Sequence, residues 1–140
     1  MKLFIDTWGW LTLQDRKENR HREVKSLYEA ARQQGSALYT TDYILNETFT
    51  LLFRRLSFPT ARESLELFDR AITQGYLQLE QITPERFERA KRLRLKFQDK
   101  PKVSFTDFTS MVIMTELHIE EILTEDEHFL QVGMGFRRVP

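Results

Sequence analysis

The sequence predicts an α/β fold with a central, mostly parallel sheet and helices on both of its faces. Three observations lead there. Short runs suited to strands take turns with longer segments whose apolar residues recur every three or four positions, as in helices. Glycine and proline fall at the borders between them. The first run, Lys2 to Asp6 (KLFID), is apolar enough to be covered on both faces, as strands of parallel sheets are. Parallel neighbours need crossover connections, and the alternating helices supply them.

Each element follows from its own residues. Asn19 to Gln34 repeats Val24, Leu27, Tyr28 and Ala31 on one helical face, and Gly35 stands where a helix stops. Ala37 to Thr40 is a second strand. Thr41 or Asp42 can cap the next helix, which runs to about Arg55 with Leu45, Phe49, Leu52, Phe53 and Leu56 as its apolar stripe. Pro59 suits the first turn of a helix from Thr60 to Thr73, closed by Gly75 and followed by an alternating strand, Tyr76 to Gln81. Thr83 and Pro84 supply a cap and a first helical residue. That helix ends near Gln98, because proline makes Asp99-Lys100-Pro101 a loop. Ser104 opens a largely apolar helix, Thr106 to Leu117; Ile119 to Thr124 is a strand, Asp126 to Leu130 a short helix, and Phe136 to Val139 a last short strand.

With 140 residues the chain is sized for a single domain, 1–140, able to bury most of its apolar surface in one core. Its 21 basic and 21 acidic residues cancel, so no global field draws nucleic acid or membrane, and any RNA contact needs a local patch. The absence of cysteine excludes disulfides, thiolate nucleophiles and Cys-ligated zinc. The start lacks a long apolar core with a small-residue cleavage site, and no uncharged apolar run of about 18 residues follows. The expectation is a cytoplasmic protein without a membrane segment.

In parallel α/β sheets ligands bind beyond the carboxyl ends of the strands, so acidic residues there come first as candidates for chemistry. Asp6 closes the first strand, Asp107 lies in the first turn of the apolar helix, and Asp126 follows the strand ending near Thr124. Glu47 sits inside a helix among Tyr43, Ile44, Thr50 and Leu51, a largely apolar setting in which a carboxylate needs a partner. Each also has a purely structural role open to it: a turn at Asp6, a helix dipole at Asp107, a cap at Asp126, an arginine partner for Glu47. Converging in one pocket, the four would repel by on the order of 4 kcal/mol per close pair at about 4 Å. Lys2 or the Lys100/Lys102 pair could offset this, but a divalent cation is the simpler answer. Oxygen donors with no His or Cys at ligand spacing select magnesium or manganese over zinc. Such ions activate water and stabilise the leaving oxygen in phosphodiester hydrolysis.

The motifs LFIDT, ILNETFTLL, SFTDFTSMVIM after a QDK loop, and ILTEDEHF succeed one another over nearly the whole chain. In this order they resemble the motifs of PIN domains, notably VapC-type toxins. The resemblance implies a three-layer α/β/α fold, a ribonuclease dependent on Mg2+ or Mn2+, frequent homodimers and, for a toxin, a small antitoxin partner. It assigns the acidic site to Asp6, Glu47, Asp107 and Asp126, with the first three carrying most of the metal binding. Thr7 and Thr124 stand where a hydroxyl could bond the carboxylates or a water. Asp99 occupies a commonly acidic loop position, with a structural role favoured over a direct one. Trp8 and Trp10 depart from the smaller residues usual after the first aspartate; they could stack on an unpaired base or belong to a core or interface.

Other roles stay open. The basic stretch Arg86, Arg89, Lys91, Arg92, Arg94, Lys96, Lys100 and Lys102 could hold an RNA backbone, or form a solvated face with Glu85 and Glu88 interspersed. A catalytically silent PIN-like scaffold and a housekeeping RNA-processing nuclease are the alternatives to a toxin. A phosphoacceptor receiver would need an acidic pair after the first strand, and a haloacid-type phosphatase a second Asp where Trp8 stands. Nucleotide hydrolysis would need a Gly-rich phosphate loop, which the sequence lacks.

Overall fold

The computed structural model describes residues 1–140. Along the chain run β1 (Lys2–Ile5), α1 (Thr7–Gln14), α2 (His21–Gln33), β2 (Ala37–Thr41), α3 (Asp42–Arg55) and α4 (Phe58–Thr73). Then follow β3 (Leu77–Glu80), α5 (Pro84–Lys96), α6 (Phe105–Glu116), β4 (Glu121–Leu123), α7 (His128–Gln131) and β5 (Arg137–Val139). The strands form one all-parallel sheet in the order β3-β2-β1-β4-β5. With its helices it makes the three-layer α/β/α arrangement. From β1 the chain builds outward through β2 to β3, then crosses to β4 on the other side of β1. This reversal makes the carboxyl ends of β1 and β4 the switch point at which such sheets open a crevice.

The central strands read as unbroken apolar runs because both their faces are covered: Phe4, Ile5, Leu38, Ile122 and Leu123 are all buried. The helix α6 is apolar nearly all round for the same reason, with every residue from Asp107 to Met114 buried. Helix starts are set by side-chain caps. Thr41, Ser57, Thr83 and Ser104 each accept the backbone N–H of the residue three positions on. Gly35 and Gly75, with φ of +74° and +85°, end α2 and α4 in the left-handed conformation that glycine takes at least cost.

Several boundaries differ from the sequence expectation. The strands are shorter: β3 keeps Leu77–Glu80 of the expected Tyr76–Gln81, and β4 keeps Glu121–Leu123 of Ile119–Thr124. The turn leading into β4 passes through His118 at φ 56°. The helix α7 starts at His128 rather than Asp126, because Asp126 Oδ1 accepts the His128 N–H at 2.8 Å and caps the chain from outside.

The element that periodicity does not show is α1. TWGWLTLQ has no polar face to mark a helix, and Thr7, Gly9, Trp10, Leu11 and Thr12 are all buried. Trp10 belongs to the core: its Nε1 donates to Thr40 Oγ1 at 3.1 Å, and its ring meets Phe68 edge-on at 4.8 Å. Gly9 lets α1 lie directly on the sheet. A Cβ there would fall 2.9 Å from Leu123 Cγ and 3.0 Å from both Ile5 Cγ2 and Leu123 O. Gly9→Ala should therefore destabilise by about 1–3 kcal/mol, seen as a lower urea midpoint with an unchanged slope. A wild-type midpoint would show that α1 can lift off the sheet without cost.

Candidate active site

Asp6 is delivered by the end of β1, Asp126 by the segment just past β4, and Asp107 by the first turn of α6. Together with Glu47 of α3 they line one cleft of about 600 Å3 at the switch point. A larger cleft of about 1020 Å3, lined by Tyr28, Leu67 and Phe68 among others, holds none of the four, so size alone does not locate the chemistry.

The burial of these acids is graded. Asp6 and Asp107 are buried, Asp126 is half-buried, and Glu47 is exposed. The last point corrects the expectation of an apolar setting for Glu47. The inward stripe of α3 is Ile44, Leu45, Thr48 and Leu52, which turns Glu47 to the rim of the cleft. Burial, then the charge of Asp107, push the Asp6 carboxyl up to about 7, against the opposing hydrogen bond from Thr124. Asp107 is likewise raised, first by burial and then by Asp126, while contacts with His128 and Ser104 pull the other way. Glu47 is raised by desolvation and by Asp107.

Hydroxyls and amides hold the acids in place. Thr124 Oγ1 donates to Asp6 Oδ2 at 2.8 Å and accepts the Asp126 N–H at 3.1 Å, so one buried side chain couples the ends of β1 and β4. Ser104 and Asp107 form a reciprocal capping box, with Ser104 Oγ accepting the Asp107 N–H at 3.0 Å and Asp107 Oδ2 accepting the Ser104 N–H at 3.3 Å. Thr7 lines the same cleft with its buried Oγ1 left without a partner. Asp99 does not join: it is exposed and pairs with Lys100 at 3.0 Å.

Sequence reasoning missed a histidine. His128 Nδ1 lies 3.0 Å from Asp126 Oδ1 and 3.2 Å from Asp107 Oδ2, so the donor set is not oxygen alone. The signal was present two residues after Asp126, in ILTEDEHF. Donor atoms of Asp107, Asp126 and His128 all lie within 4.8 Å of one another, close enough to share one ion. A mixed carboxylate and imidazole set of this kind fits a divalent cation.

The cationic residues also differ from expectation. Lys2 donates to the Leu117 carbonyl and Lys100 is paired with Asp99; of these candidates only Lys102 lines the cleft. Arg20 and Arg55 line it too, with Arg20 lying 5.4 Å above the half-buried ring of Trp8. Arg55 was legible, since Glu47, Leu51 and Arg55 recur every four residues on α3. Most of the basic stretch is engaged elsewhere. Arg86 bridges Glu80 and Glu116, Arg89 joins Glu116, and Lys91 pairs with Glu88. Arg94 donates to the carbonyls of Phe97, Lys100 and Val103, and so folds the loop that delivers Ser104 and Asp107.

Residues 3–134 match the family model described as PIN domain. This chain belongs to the PIN domain family. Among solved structures, VapC20 of Mycobacterium tuberculosis, a sarcin-ricin loop cleaving toxin, is 27% identical. The likeness covers 94% of this PIN domain chain and 95% of that one, with a TM-score of 0.77. VapBC2 of Rickettsia felis, bound to a DNA fragment from its promoter, shares the fold at 9% identity and a TM-score of 0.73, covering 99% and 98% of the two chains. No curated protein matches the sequence. No helix of this PIN domain is long and apolar enough to cross a membrane.

Two tests follow from this geometry. The unfolded chain ionises Asp6 near 3.8 whereas the folded protein resists until about 7. The stabilising contribution of the raised carboxyl is thus complete below 3.8 and lost as pH rises through about 7. Metal-free Asp6→Asn should melt several degrees above wild type at about pH 8, with the gap closing toward pH 4; a gap independent of pH would refute the burial of charge. Arg94→Ala should speed amide exchange across residues 97–104, leaving β1 and β2 protected. Unchanged exchange in that loop would mean that Arg94 does not hold it.

Proposed function

We propose that this chain is a metal-dependent ribonuclease that hydrolyses RNA phosphodiester bonds and serves as the toxin of a type II toxin-antitoxin pair in the cytoplasm. The observation that carries the proposal is the convergence of Asp6, Asp107 and Asp126 at the switch point, with Glu47 on the rim. The PIN domain match and the likeness to a sarcin-ricin loop cleaving toxin support RNA as the substrate. Likeness to VapC20 and to VapBC2 supports a small antitoxin as partner, and a homodimer belongs to the same proposal.

In this mechanism Asp6, Glu47, Asp107 and Asp126 would hold Mg2+ or Mn2+, which would supply Lewis-acid polarisation of the phosphate and a water of lowered pKa. Thr124 fixes Asp6 by occupying Oδ2, leaving Oδ1 for a ligand or a proton. Lys102, Arg20 and Arg55 are the cations that line the cleft and the contacts proposed for the RNA backbone, Arg20 also pairing with Glu23 and Arg55 with Glu18. No side chain is required to form a covalent bond to phosphorus.

The test is cleavage of a total small-RNA mixture by purified protein with magnesium or manganese, against chelator and against identically purified Asp6→Asn. Cleavage that needs both metal and Asp6 is expected, with the variant reduced at least about a hundredfold. Neither cleavage nor a metal-dependent rise in melting temperature in the wild type would overturn the nuclease in favour of a silent scaffold. The toxin role predicts growth arrest on expression, relieved by co-expression of a small protein encoded beside it; arrest-free expression would leave an RNA-processing nuclease.

A further inference from the structure

Building on the nuclease proposed above, we infer that His128 is a nitrogen ligand of the metal centre and biases it toward manganese over magnesium. The geometry is that of a ligand set already gathered. Adjacent donors on a six-coordinate ion with bonds of about 2.1 Å stand about 3 Å apart, and His128 Nδ1 is 3.0 Å from Asp126 Oδ1 and 3.2 Å from Asp107 Oδ2. The imidazole is held there by its backbone. The His128 N–H donates to the same Asp126 Oδ1, and the next residue, Phe129, is fully buried against Phe136. The half-buried ring therefore sits at the start of an anchored helix rather than on a free surface loop.

Thr7 and Thr12, which line the cleft, each keep a buried hydroxyl without a hydrogen-bond partner. The choice of ion then follows from donor chemistry. Magnesium keeps oxygen ligands and gives up water reluctantly, whereas imidazole is a better donor to the transition ions. Asp6, Glu47, Asp107 and Asp126 alone would discriminate weakly between the two; one nitrogen tips the balance. His128 is thus a specificity residue for the metal, not a general base.

The experiment is metal binding by tag-free full-length protein, with calorimetry for Mn2+ and Mg2+ separately and pulsed EPR of bound Mn2+ to detect a directly coordinated nitrogen. Wild type should bind Mn2+ about tenfold or more tightly than Mg2+ and show nitrogen coupling. His128→Asn, which keeps a polar group of similar reach, should retain Mg2+ binding, lose the coupling and lose most of the preference. The wild-type spectrum answers the question even if that variant folds poorly. Bound Mn2+ without nitrogen coupling, or an unchanged preference in His128→Asn, would overturn the role of His128 while leaving the nuclease standing. A wild type that takes up neither ion would instead overturn the nuclease, and the ligand with it.

Discussion

The Thr124 hydroxyl donates to Asp6 and accepts from the backbone of Asp126, and so ties the ends of β1 and β4 together beneath carboxylates that repel one another. Two charges a few ångströms apart at the edge of a buried sheet are poorly screened, and burial adds the cost of lost hydration. Each acid is accordingly fastened by something outside the repulsion: Asp6 by Thr124, Asp107 by the capping box with Ser104, Asp126 by the His128 N–H at the start of α7. The acids sit at the edge of a buried core that includes Phe4, Ile5, Phe108 and Ile122. A site of this kind is preorganised for positive charge before any arrives.

The same reasoning explains how a chain of zero net charge can address a polyanion. Two groups of its cations stand apart. On α5, Arg86 and Arg89 fasten the helix to α6, and Arg94 folds the loop before α6. Those of the cleft, Arg20, Arg55 and Lys102, come from three separate parts of the chain and meet only in the tertiary structure. Of the dense basic run in the sequence, Lys102 is the member that lines the cleft.

Much of the fold was legible because the signals were local. Thr41, Thr83 and Ser104 announced their helices, Gly35 and Gly75 ended theirs, and KLFID could hardly be anything but a covered strand. The helix α1 was not legible, since burial on nearly every side erases the amphipathic pattern by which a helix is recognised. At the site, Asp6, Asp107 and Asp126 could be placed from their position after strands or at a helix start. The exposure of Glu47 and the approach of His128 to Asp107 depend on how α3 and α7 are rotated and packed. Neither rotation is written in residue spacing.

The order of strands has a consequence for how the protein comes into being. The first strand made, β1, lies in the middle of the sheet, and one of its partners is not synthesised until residues 121–123. A nascent chain leaving the ribosome can pair β1 with β2 early, yet it holds Asp6 without Asp107, Asp126 or the Thr124 that fastens them. The cleft closes only when the stretch around residue 128 has emerged. On the mechanism proposed above, an unfinished copy lacks the assembled set of acids and would be silent until translation of the cleft-forming residues is complete.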